Sequence, residues 1–122
     1  MAEKMADMDH FGFSTSAIRE LHDVFAQNAH AGRAVVYGSR AKGSYRKGSD
    51  IDISLDGYEL TFTDLMRLEI ALDDLMLPWK IDLSLISHIN NPELLAHINR
   101  VGKPLWVRPN SAATSSAPTL IQ

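Results

Sequence analysis

No cysteine occurs among the 122 residues, which excludes disulfides and thiolate-held metals. A chain without disulfides fits the cytoplasm, and that location is expected. No stretch approaches the roughly 18–20 consecutive apolar residues needed to cross a bilayer, so no membrane span is expected. The opening residues, MAEKMADMDH, are acidic and polar and do not read as a secretory signal. An excess of positive charge is also missing. The chain has 12 Lys and Arg against 15 Asp and Glu, a net charge of −3. No direct nucleic-acid binding is therefore expected, since such modules carry a basic balance. What remains is ordinary for a globular domain: 45% hydrophobic and 22% charged residues. The length suffices for one core and not for two.

Periodicity divides the chain into alternating elements. Residues 1–13 read as a flexible N-terminus, residues 14–108 as one domain, and residues 109–122, small and polar without period, as a disordered tail. Ser14, Thr15 or Ser16 caps a helix whose apolar side is Ile18, Leu21, Val24 and Phe25, and Ala31-Gly32 ends it. Arg33–Tyr37 is a short strand. Residues 38–49, GSRAKGSYRKGS, form a loop with a short helical turn around Arg40–Lys42. Asp50–Leu55 alternates polar and apolar and reads as a strand broken by Asp56-Gly57. A second helix opens at Thr61 or Thr63, with Phe62, Leu65, Met66, Ile70, Leu72 and Leu75 as its apolar side. Trp79–Ile86 is a third strand. Asn91-Pro92 caps and starts a last helix that Gly102 closes, and Pro104–Val107 is a short final strand. The order predicts an α/β (α+β) domain: a small mixed sheet with helices packed on it.

Asp50 and Asp52 are the first candidates for chemistry. Two residues apart on a strand, both leave the same face, while Ile51 and Ile53 enter the core. Adjacent carboxylates repel one another, and a divalent cation relieves the repulsion. Two solvated acids on a sheet face would give the same pattern. Asp82, also on a strand and flanked by Ile81 and Leu83, adds a third carboxylate if its strand lies beside that of Asp50 and Asp52. An acid there is placed to accept a proton from an attacking hydroxyl. Gly38 and Ser39 follow a strand directly. Glycine allows close backbone approach to a phosphate, and Arg40, Lys42, Arg46 and Lys47 set a local positive field in an acidic chain. A soluble turn is the plain alternative. The Walker pattern is absent, because Gly43 is followed by Ser44 and Tyr45. The five histidines show no metal-ligand spacing. Trp79 and Trp106 read as packing residues, and Tyr45 as a loop side chain able to stack on a base.

The stretch from Gly38 to Ile53 resembles the signature of the polymerase-beta nucleotidyltransferase superfamily: Gly-Ser, a downstream Gly and an Asp-x-Asp in register. Its minimal nucleotidyltransferase branch is similar in length, and the resemblance covers about residues 14–107. The segment from Leu77 to Leu83 is similar to that branch's third-carboxylate strand. The resemblance implies a polymerase-beta-like fold. It implies that Gly38 and Ser39 contact the triphosphate, and Arg40, Lys42 and Gly43 of the same loop are expected to bind the nucleotide with them. It implies that Asp50, Asp52 and Asp82 are the catalytic acids and hold Mg²⁺, two ions by family pattern, with ATP as substrate. It further implies an antitoxin whose partner is a HEPN-type ribonuclease toxin, silenced by transfer of AMP to a tyrosine. A homo- or hetero-oligomer is compatible with this picture. The rival expectation is a binding antitoxin that neutralises its partner without catalysis. A drug-modifying transferase would need more chain to hold its acceptor.

Overall fold

The computed structural model describes residues 11–46 and 48–109. The expected flexible residues 1–10 and the tail from residue 110 onward lie outside the described residues. Ser14 caps the first helix, accepting a hydrogen bond from the Ala17 amide. Helix α1 (Thr15–Gln27) buries Ala17, Ile18, Leu21, Val24 and Phe25. It stops at Asn28, earlier than the Ala31-Gly32 expected, and Ala31 already belongs to β1 (Ala31–Tyr37). The Asn28 side chain accepts from the amides of His30 and Ala31 and so turns the chain into the strand. A four-residue helix, α2 (Ser39–Lys42), leads through the loop to β2 (Ile51–Gly57). Asp56-Gly57 continues this strand instead of breaking it, because both residues still pair with β1. Helix α3 (Phe62–Asp74) carries the chain over to β3 (Ile81–Leu85). A 3₁₀ turn at Ile86–His88, helix α4 (Pro92–Val101) and β4 (Lys103–Val107) complete the order.

The four strands lie in the order β3-β2-β1-β4. β1 is antiparallel to β2 and β4, and β2 is parallel to β3, so the sheet is mixed. The alternation of side chains sends Ile51, Ile53, Leu55, Leu83 and Leu85 to one face, where α1 and α3 cover them in the main core. Val35 and Tyr37 point to the other face and meet Ile98 of α4. At roughly 25 cal/mol per Å² of apolar surface, the larger core on the α1/α3 face is the main source of stability.

Two expectations need correction. Phe13, placed in a flexible N-terminus, is 1% exposed, and its ring lies tilted against that of Trp79, 5.0 Å between centres. An aromatic ring beside the open end of the sheet core finds apolar partners there, and Phe11 lies partly buried against the same core. On α3 the core side is Leu68 and Leu72, with Leu65, Ala71 and Leu75 partly covered. Phe62, Met66 and Ile70, expected inside, are exposed. The helix has apolar residues on two sides, and periodicity alone did not choose between them.

Candidate active site

The register of the strands gathers the acids. Asp52 of β2 is paired with Asp82 of β3, and on its other side with Tyr37 of β1. One row across the sheet therefore reads Tyr37, Asp52, Asp82, all on the face opposite the main core. Asp50 lies just before β2, exposed, and its charge acts on Asp52. Burial pushes the Asp52 carboxyl above the usual carboxylate range. Repulsion by Asp82 and then Asp50 adds to this, and His97 partly offsets it. Asp52 and Asp82 are thus register partners and the charge of Asp50 reaches Asp52, but among the described residues no three His, Cys, Asp or Glu stand close enough to hold a metal ion together.

The turn after β1 fits against them. Gly38 adopts φ 74° and ψ −152°, a conformation open essentially to glycine alone. A Cβ there would stand 2.6 Å from Oδ2 of Asp52. Gly38 is thus required both by the bend and by the close approach of the carboxylate. Ser39 follows as the first residue of α2, half-buried beside the same corner. Gly43 closes α2 in the left-handed region at φ 81°, with its amide donating to the Ser39 carbonyl. Lys42 is exposed at the end of this helix.

Arg40 has a different place from the one expected. It is 3% exposed, and its guanidinium donates to the carbonyls of Phe11 at 2.9 Å and Ser49 at 3.2 Å. It lies 4.1 Å from the ring centre of Tyr45, with Phe13 and Trp79 nearby. Its Nη1 and Nη2 tie the N-terminal segment to the residue that precedes Asp50, while the buried Nε has no hydrogen-bond partner among the described residues. Arg40 is a strut of the loop rather than an open phosphate ligand. Tyr45 is taken up in the same packing and is not a free stacking platform.

Three residues of the site escaped the sequence reading. Tyr37 is raised above its ordinary value, first by burial; Ser84, on the far side of β2, partly offsets this, and the charges of Asp52 and Asp82 add to it. His97 of α4 meets the Tyr37 ring edge-on at 6.2 Å. Only the strand register and the packing of α4 bring these residues to the acids. Residue spacing carried no signal for them, although the alternation in β3 did place Ser84 on the face of Asp82.

A mixed four-stranded sheet with acids aligned on adjacent strands and a glycine-serine turn at their edge is the architecture of a nucleotidyl-transfer domain. Residues 19–111 match the family model described as polymerase beta, nucleotidyltransferase, and the chain belongs to that family. Among solved structures, it is similar to a toxin–antitoxin complex with AMP-PNP at 21% identity and TM-score 0.59, covering 80% of this chain and 75% of that one. It is similar to a chain of a tri-AMPylated Shewanella oneidensis HEPN toxin in complex with MNT antitoxin. There the identity is 19% and the TM-score 0.52, with 80% and 71% of the two chains covered. A third likeness is to a nucleotidyltransferase structure from Sulfolobus solfataricus at 15% identity and TM-score 0.54, covering 85% and 86%. No curated protein matches the sequence. Among the described residues no helix is long and apolar enough to cross a membrane.

Proposed function

We propose that this chain is a Mg²⁺-dependent nucleotidyltransferase that moves AMP from ATP to a hydroxyl of a partner protein. We further propose that the acceptor is a tyrosine of a HEPN-type toxin, for which the chain is the cytoplasmic antitoxin. The observation that carries the reaction is the pairing of Asp52 with Asp82, with Gly38 closed against Asp52. Similarity to a complex with AMP-PNP supports the nucleotide, and similarity to a complex with an AMPylated HEPN toxin supports the acceptor class.

The donor set suits a hard cation. Asp50, Asp52 and Asp82 repel one another and offer only carboxylate oxygens. Among the described residues no three His, Cys, Asp or Glu form a ready-made cage. Mg²⁺ takes one or two carboxylates and completes its shell with water and substrate phosphate, so these acids would hold it together with the triphosphate. When bound, the ion supplies charge neutralisation at the triphosphate. The chain's own residues do the rest. Gly38 and Ser39 let the triphosphate approach the backbone, and exposed Lys42 adds positive charge. The Asp82 carboxylate takes the proton of the attacking hydroxyl as its oxygen bonds to the α-phosphorus. The bond from that phosphorus to the bridging oxygen breaks, and pyrophosphate leaves.

The test is intact-mass spectrometry of the protein encoded beside this one after incubation with the chain, ATP and Mg²⁺. A mass gain of one AMP, or a multiple, that needs Mg²⁺ and is lost in Asp50→Asn supports the reading. A silenced partner with no gain replaces it with neutralisation by binding.

A further inference from the structure

Five of the six large apolar side chains exposed among the described residues lie between residues 58 and 76: Tyr58, Phe62, Met66, Ile70 and Met76. Three of them, Phe62, Met66 and Ile70, follow one another at every fourth position of α3 and are 61%, 47% and 60% exposed. Side chains four apart on a helix are neighbours, so these three form one stripe. It is separate from the inner stripe of Leu68 and Leu72, which serves the core. A contiguous exposed apolar stripe with polar edges marks a contact surface.

The edges give its partner a sign. Exposed Glu69, Asp73 and Asp74 on the helix, and Glu59 just before it, face a single exposed base, Arg67. Pairing with a second copy is disfavoured by this arrangement. Two α3 helices stacked antiparallel about Met66 would set Phe62 against Ile70, but also Glu59 against Asp73, acid against acid. A partner helix with an apolar stripe edged by Lys and Arg meets both features.

We propose that the outer stripe of α3 is the docking surface for such a helix of the partner protein. This rests on the partner reading above and names the face it uses. α3 covers the sheet face opposite Asp52 and Asp82, so a partner held there does not cover the carboxylates.

The experiment uses the full chain and, as probe, a purified HEPN-type toxin of the class proposed above. Their complex is measured by titration and by light scattering on a sizing column. The variant is Phe62→Glu/Met66→Glu/Ile70→Glu, with Val107→Glu, an exposed apolar residue elsewhere, as control. Melting temperature and Mg·ATP binding establish that each variant is folded. The expected result is a loss of affinity of about 100-fold or more in the triple variant, the scale of losing a cluster of interface anchors, with no loss in the control. Glu69→Lys/Asp73→Lys weakens the complex and flattens its salt dependence. Wild-type affinity in the folded triple variant overturns the proposal. So does a homodimer that the triple variant abolishes while the probe stays bound. A complex that forms through this face without AMP transfer leaves the docking surface standing and removes only the catalytic reading. Absence of any complex with the wild-type chain overturns both the partner and its surface.

Discussion

Gly38 and Asp52 share one corner of the molecule: a Cβ on residue 38 would stand 2.6 Å from Oδ2 of Asp52. The bend that starts the glycine-serine turn and the carboxylate at its floor are therefore one structural unit. Gly38→Ala meets two penalties. The backbone conformation costs a non-glycine residue about 1–3 kcal/mol, and the methyl group displaces Asp52. Thermal unfolding should show that destabilisation, and transfer should fall by about 100-fold or more, the scale of losing one well-placed electrostatic group.

Asp52→Asn separates function from stability. The folded-state pKa of Asp52 is raised, so the folded protein holds this proton more tightly than the unfolded chain. Stability contributed by the protonated form is lost as pH rises from the ordinary carboxylate value of about 4 through the raised one. Above that window the ionised carboxylate is a net cost. The Asn variant should melt higher than the parent chain at neutral pH, with the gain shrinking in acid, while transfer is abolished. Melting curves taken across pH check the sign.

Arg40 and Lys42 should behave as opposites although both are basic residues of the same short helix. Arg40→Ala removes the guanidinium bonds to the carbonyls of Phe11 and Ser49 and opens the space among Phe13, Tyr45 and Trp79. A loss of about 2–4 kcal/mol is expected from denaturant titration. Lys42→Ala, at an exposed site, should change stability by less than about 0.5 kcal/mol. Its effect should appear as weaker binding of ATP.

The start of α3 is a capping box. The Thr61 hydroxyl accepts from the Asp64 amide, and the Asp64 carboxylate accepts from the Thr61 amide, Asn28 and His30. Thr61→Ala should cost about 1 kcal/mol in equilibrium unfolding. The hydrogen bonds, that from the Thr61 backbone foremost, hold Asp64 well below the usual carboxylate range. Its contribution is therefore fully present above about pH 4 and fades as pH falls toward the lower folded value. Asp64→Asn should flatten the acid limb of the stability curve.

The acids and the turn were legible in the sequence because local rules specify them. Asp50 and Asp52 bracket Ile51, which the core demands, and Gly38-Ser39 follows a β-rich run directly. The caps at Ser14, Asn91 and Thr61 were equally local. What the sequence hid depends on distant partners. Arg40 looked like a phosphate ligand because its burial among Phe13, Tyr45 and Trp79 comes from segments far apart in the chain. Phe62, Met66 and Ile70 looked like core because a helix with two apolar sides does not say which one meets the sheet. Tyr37, Ser84 and His97 reach the acids only through register and helix packing.

The central claim is that the three carboxylates and the Gly38-Ser39 turn form one site for a metal-nucleotide complex. Calorimetric titration of ATP into the chain, with Mg²⁺ and with EDTA, tests it most directly when repeated on Asp50→Asn and Asp52→Asn. The account predicts saturable binding that needs Mg²⁺ and is lost in both variants while their folds persist. Binding of equal strength without Mg²⁺, or undiminished in the folded Asp variants, would contradict it.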